Sequence, residues 1–244
     1  MDASTESDPT KWSPRAATTT SLRLALLLAT IAGFLDAYSY LERGGVFANA
    51  QSANVVLFGV RASAGAWGQA LHYLPPIGAF AVGIAIGEAL QRWPERIALR
   101  RPARAAITVE LAILLAVGFV PQHYPDVIAV CALSFAAALQ SVMFADLRGR
   151  SYSSILATIN LRTMILAGFA ALADRDRVLV AEAAEFGLLV VAFGLGAALG
   201  GLLGLHLHGR AIWVAAALLG LAFALYSLDR RQTPAETRGV AGDG

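Results

Sequence analysis

The sequence predicts an all-α membrane protein with six transmembrane helices and two shorter re-entrant or broken polar helices, arranged as two inverted structural repeats. Three observations carry that reading. Hydrophobic residues make up 57% of the 244-residue chain and charged residues 15%, against roughly a quarter charged in soluble domains. The charges gather in short clusters between uninterrupted apolar runs. Two polar segments, FANAQSANVVLFG around Asn54 and YSSILATINLRTM around Asn160, recur at matching places in the two parts of the chain.

The first twenty residues are polar and lack the apolar core and small-residue cleavage site of a signal peptide. Residues 1–20 and 232–244 therefore read as disordered tails. A helical crossing needs about 20 mainly apolar residues. Six stretches qualify: Leu22 to Leu41, Leu71 to Leu90, Ala103 to Val120, Val127 to Phe144, Phe186 to Leu207 and Ala211 to Leu228. Phe47 to Gly65 and Tyr152 to Ala171 are apolar too, but each carries several amides, hydroxyls and an arginine. At about 2.5–3.5 kcal/mol per mid-bilayer charge, neither makes a comfortable lipid-facing span.

Arginines mark orientation. The cluster Arg92, Arg96, Arg100, Arg101 and Arg104 reads as a cytoplasmic connection. With six crossings, both termini, Arg148 with Arg150, and Arg175 with Arg177 fall on that same side. Eight crossings would put both tails outside. Attraction to anionic lipid headgroups accounts for the arginine cluster without nucleic-acid binding.

The halves, residues 21–121 and 122–231, share more than the Asn segments. AFAVGIAIGEAL from Ala79 lines up with AFGLGAALGGLL from Ala192, and RAAITVELAILLA from Arg104 with GRAIWVAAALLGLA from Gly209. AGFLDAYSYL from Ala32 lines up with AAALQSVMFA from Ala136, which opposes Asp36 to Gln140. Three crossings per half turn the second copy upside down, the arrangement of many secondary transporters with midplane sites at discontinuous helices.

GGVFANAQSANVVLFGV (Gly44 to Val60), YSSILATINLRTM and the AGFLDAYSYL run resemble the YoaK family of bacterial integral membrane proteins, over roughly Leu22 to Leu228. The resemblance implies a bacterial cytoplasmic membrane location and supplies no substrate, since that family is a domain of unknown function. The glycine that the family carries before each Asn is replaced here by Ala53 and Ile159. If those glycines unwind the helix in relatives, Asn160 is left on a continuous helix here.

Asn54 and Asn160 suit an uncharged polar solute or a partly dehydrated ion, because an amide offers both donors and acceptors. Gln51, Ser52, Asn49, Thr158 and Gln140 extend that polar surface, with Ser153 and Ser154 beside it. Asp36 lies within the first span, and Arg162 in the opposite half is its most attractive partner for a proton-linked gate. Glu110, inside the third span, is a further ion-coupling candidate. Gly83 with Gly87 and Gly196 with Gly200 are small-xxx-small pairs that let helices approach closely, between halves or between subunits of a homodimer. Arg43 falls outside or at depth. The histidines form no metal-ligand pattern, and Cys131 is the single cysteine.

No nucleophile triad or HExxH motif is present, so an enzyme is not expected and no cofactor is called for. The leading expectation is a transporter or permease of a small polar solute or ion. A membrane scaffold or accessory subunit is the alternative, and a membrane enzyme acting on a lipid-soluble substrate the third.

Overall fold

The computed structural model describes residues 19–93, 101–121, 126–148 and 150–232. A two-residue strand, β1 (Thr19–Thr20), leads into α1 (Leu22–Glu42). Helix α1 starts where Ser21 Oγ accepts from the Leu24 N–H at 3.4 Å, which satisfies one of the four donors a helix start leaves free. Beyond α1 the chain reverses at Gly44 and Gly45, whose φ values of 81° and 74° lie where side-chain-bearing residues are strained. It then runs back along α1. There the Ala48 N–H donates to Ser39 Oγ at 3.0 Å and the Asn49 N–H to Asp36 Oδ1 at 2.7 Å.

Helix α2 (Gln51–Ser63) follows. A short α3 (Trp67–Ala70) and a 3-10 turn (Leu71–Tyr73) lead into α4 (Leu74–Arg92). Prolines 75 and 76 sit in the first turn of α4, where a missing N–H breaks no helical bond. Helices α5 (Pro102–Val117) and α6 (Asp126–Met143) follow. A second reversal holds β2 (Asp146–Leu147) and β3 (Arg150–Ser151). Strand β1 pairs in parallel with β2, and β2 antiparallel with β3.

The chain closes with α7 (Ala157–Asp174), α8 (Arg177–Leu207), a 3-10 turn (His208–Ala211) and α9 (Ile212–Gln232). At 31 residues α8 is about 46 Å long, more than a bilayer's apolar thickness of about 30 Å. Its extra turns begin well before Phe186. They carry Glu182 and Glu185, which pair with Arg150 and Arg148 of the β2–β3 hairpin. Charge that opens a span here is matched by charge in the neighbouring loop.

Among the described residues the protein is therefore all-α apart from three two-residue strands. Thr19 and Thr20 belong to that small sheet and not to a tail, and Gln232 is the last residue of α9. The rest of both predicted tails, together with Arg96, Arg100 and the 121/122 boundary between the halves on its second-half side, lies outside the described residues.

Four helical stretches among the described residues are long and apolar enough to cross a membrane: Leu22–Glu42, Trp67–Arg92, Asp126–Met143 and Arg177–Leu228, the last bent at the 3-10 turn. Helix α5, at 16 residues, is shorter than these. Large apolar side chains point outward, with Phe169 75% and Leu172 83% exposed, while Asp36, Asn54 and Glu110 are buried. A surface apolar outside and polar within is what hydrocarbon surroundings favour.

The halves are interlocked. Helix α1 packs most extensively on α8, and α4 on α6; α5 also packs on α6, α1 on α9, and α5 on α9. Glycines set the two main seams. A Cβ at Gly196 would overlap the backbone of Thr30, and one at Gly200 would lie 2.5 Å from Phe34 O. A Cβ at Gly83 would lie 2.6 Å from Ala138 Cβ, whereas at Gly87 it would meet only the Val142 side chain at 3.0 Å. Both pairs thus lie on seams between the halves of one chain.

Candidate functional site

The two asparagines occupy the same local position. Each is the fourth residue of its helix, and each holds the residue seven positions earlier by both backbone groups. Asn54 Oδ1 accepts from the Phe47 N–H at 2.9 Å while its Nδ2 donates to Phe47 O at 2.8 Å. Asn160 Oδ1 accepts from the Ser153 N–H at 3.1 Å while its Nδ2 donates to Ser153 O at 2.8 Å. An amide side chain here stands in for a neighbouring strand, satisfying backbone that a reversal inside an apolar bundle leaves without partners. Ala53 and Ile159 are ordinary first-turn residues, because both breaks come before the helices start and the positive φ values fall at Gly44 and Gly45. Asn160 therefore lies in the first turn of α7, which is continuous from Ala157 to Asp174, and the break comes before it.

Around Asn54 the polar side chains are engaged with one another and with backbone. Gln51 Nε2 donates to Ala48 O at 2.8 Å and to Ser134 Oγ on α6 at 3.3 Å, while its Oε1 accepts from Asn54 Nδ2 at 2.9 Å. Asn49 Nδ2 donates to Ala32 O at 2.8 Å. Asp36 Oδ1 accepts from the Asn49 N–H and, at 3.4 Å, from the Ala50 N–H. Its carboxylate thus caps the entrance to α2, where the free N–H groups and the helix dipole both favour negative charge. Among the described residues it forms no ion pair with Arg162, which is exposed on α7.

The second segment differs. Gln140, the counterpart of Asp36 in the aligned halves, is neutral. With its amide turned to suit both neighbours, Nε2 donates to Glu110 Oε1 and Oε2 at 3.0 and 3.1 Å, and Oε1 accepts from Ser154 Oγ at 3.3 Å. Ser153 Oγ accepts from the Leu156 N–H at 2.9 Å, but no side chain caps the first N–H groups of α7 itself.

The starts of α2 and α7 face one cavity of about 460 Å³ between the halves. Ser52 and Ala53 come from α2, Ala157 and Thr158 from α7; Asp36 and Tyr40 line it from α1, and Phe193 and Ala197 from α8. Of the seven side chains read as solute-binding, Ser52 and Thr158 line this cavity. Asn49, Gln51, Asn54 and Asn160 do not, because they hold the backbone that shapes it, and neither does Gln140, which meets Glu110 and Ser154.

Sequence reading left Arg43 at the surface or at depth; it is fully buried. Its Nε donates to Tyr38 Oη at 3.0 Å and its Nη2 to Val117 O and Val120 O at 3.2 and 3.1 Å, and its Nη1 lies 3.6 Å from Asp126 Oδ1. One guanidinium so meets the carbonyl end of α5, whose dipole favours its positive charge, and the Asp126 carboxylate at the start of α6. Tyr38 Oη in turn donates to Gly209 O in the α8–α9 turn at 2.9 Å. A lone arginine after an apolar run carries no sequence signal for this.

The described residues hold no cluster of three or more His, Cys, Asp or Glu side chains placed to hold a metal ion. Neither a curated protein nor a solved structure matches the chain. A family model described as "Protein of unknown function (DUF1275)" matches residues 24–225, from the first helix through most of the last. With its apolar helices and that match over most of its length, the chain is a membrane protein that belongs to the DUF1275 family.

Proposed function

We propose that the protein is a transporter of a small polar solute or ion, built from six crossings and two re-entrant helices in two inverted repeats, in a bacterial cytoplasmic membrane with both termini inside. The observation that carries this reading is a cavity between the halves onto which the starts of both Asn-held helices open beside Asp36. Discontinuous helices that meet at an interface between repeats are where secondary transporters bind substrate. The pairing of α1 with α8 and of α4 with α6 supports the repeat, since each first helix packs on the other half's long helix. The matched Asn bonds support it independently.

The two ends of the cavity offer different chemistry. Asp36 already meets the N–H groups before α2, so that end carries a carboxylate that favours a cationic group. First-turn N–H groups lack a side-chain cap at both α2 and α7, and at the α7 end, where no carboxylate lines the cavity, they favour an anionic or carbonyl group.

The scaffold alternative draws on a different observation, that the Asn54 and Asn160 amides are held by protein backbone. Single cysteines at Ser52 and Thr158, in a Cys131→Ala background, decide between them. Alternating access requires that a membrane-impermeant thiol reagent reach each cysteine from both faces of the membrane. If neither position labels while a loop control does, the segments are sealed packing and the scaffold stands. Labelling by membrane-permeant reagents alone would make the cavity a lipid-facing groove and remove the transport reading.

A further inference from the structure

Of the two buried carboxylates among the described residues, Asp36 and Glu110, Glu110 is the one that neither a cation nor a helix start accounts for. It is 1% exposed, near the middle of α5, against α6. Asp36 has backbone N–H groups at the entrance to α2; Glu110 has the Gln140 amide. The charged and titratable groups on the elements around it are Arg104 on its own helix, Asp126 and Cys131 on α6, Tyr226 on α9, and Asp146 and Tyr152 in the second reversal, and among the described residues no ion pair joins any of them to Glu110. Arg148 and Arg150 are engaged by Glu185 and Glu182.

We propose that Glu110 is a reversible proton-binding site whose charge sets the orientation of the Gln140 amide and, through Ser154, the seating of the start of α7. The proposal rests on reading α7 as part of a solute site and supplies its coupling ion. Bulk water provides the proton and receives it back.

The argument is one of hydrogen-bond accounting. Half a turn of a glutamine amide exchanges its oxygen and nitrogen and hardly changes its shape. When Glu110 is charged it can only accept, so Nε2 faces it and Oε1 takes the Ser154 hydroxyl proton. When Glu110 is neutral its O–H donates to Oε1, and Nε2 turns to Ser154 Oγ. Ser154 then accepts where it had donated, and its own proton must find a new partner. Ser153, the next residue, is the one that Asn160 holds, and Ile155 and Leu156 beyond Ser154 line the cavity. A buried network of this kind passes on a change of charge, because leaving the Ser154 hydroxyl unpaired would cost about 1–3 kcal/mol.

The test is infrared difference spectroscopy between acidic and alkaline pH on the full chain in phospholipid nanodiscs. The expected result is a protonated-carboxyl band that is lost in Glu110→Gln, kept in Asp36→Asn, and shifted in Gln140→Leu, which leaves Glu110 in place. The absence of a titrating band, its persistence in Glu110→Gln, or its indifference to Gln140→Leu would each overturn the proposal. Labelling of Thr158→Cys relative to Ser52→Cys should change with pH in the parent and be constant in Glu110→Gln; a pH step that survives that substitution rejects the link to α7. These readouts need no solute. A band that behaves as expected beside failed two-sided labelling would thus remove transport and leave the proton site standing.

Discussion

Asn54 and Asn160 each hold the backbone seven residues behind them, yet the helices their segments fold against carry different groups. On α1 the facing residue is Asp36, bonded straight to the N–H groups that precede α2. On α6 it is Gln140, and the carboxylate has moved to Glu110 on α5, one side chain further from the backbone. A carboxylate set on backbone N–H groups has partners that cannot rotate away. A charge that meets a rotatable amide has a partner with two settings. The comparison teaches that a shared architecture can hold one end of a site rigid and leave the other adjustable.

The largest expected effect comes from removing what the segments share. Asn54→Leu leaves the Phe47 N–H and C=O without partners, and Asn160→Leu does the same at Ser153. At about 1–3 kcal/mol per orphaned group, each variant loses roughly 2–6 kcal/mol. Asn54→Leu should lose more, since it also breaks the bond to Gln51. Thermal unfolding midpoints in nanodiscs would measure this, and a parent-like midpoint for either variant would show that its amide is dispensable.

Next in size is the difference between the segments. Asp36→Leu removes charge-assisted bonds worth about 1.5–3 kcal/mol, whereas Gln140→Leu removes neutral-side bonds nearer 1 kcal/mol once Glu110 takes up a proton. Equal losses at neutral pH would mean that the two positions are chemically alike after all.

A third comparison concerns the seams. Overpacking costs about 1–3 kcal/mol. Gly196→Ala should sit at the top of that range, because its Cβ meets backbone, and Gly87→Ala at the bottom, because the Val142 side chain can shift. The same melting assay ranks them, and a reversed order would show that the α4–α6 seam is the stiffer of the two.

Much of this was legible in the sequence, and for specific reasons. Apolar runs announced the helices because hydrocarbon penalises charge directly, and the two Asn segments stood out because amides are rare in such runs. What those amides do was not legible. A side chain bonded to backbone seven residues away leaves the same trace in sequence as one that lines a pore. Ser52 and Thr158, the residues that do line the cavity, were distinguishable only as neighbours of the asparagines. The Asp36–Arg162 pairing failed as a reading because the carboxylate found nearer donors on its own side of the chain. Arg43 escaped notice because its partners are carbonyls at the end of α5, and carbonyls have no sequence signature.

The interlocking of the halves has a consequence for how the chain becomes a molecule at all. Since α1 finds its main surface on α8, and α4 on α6, the first helix to emerge must wait for nearly the last before it is covered. Neither half owns a finished interior, so assembly is a mutual exchange between them, as in a domain-swapped dimer written into one polypeptide. Arg43 bridges the place where the halves are spliced, gripping the end of α5 and the start of α6 at once. The peptide link there is backed by a noncovalent clasp, and two separately made fragments would carry between them all the surfaces they need to recognise each other.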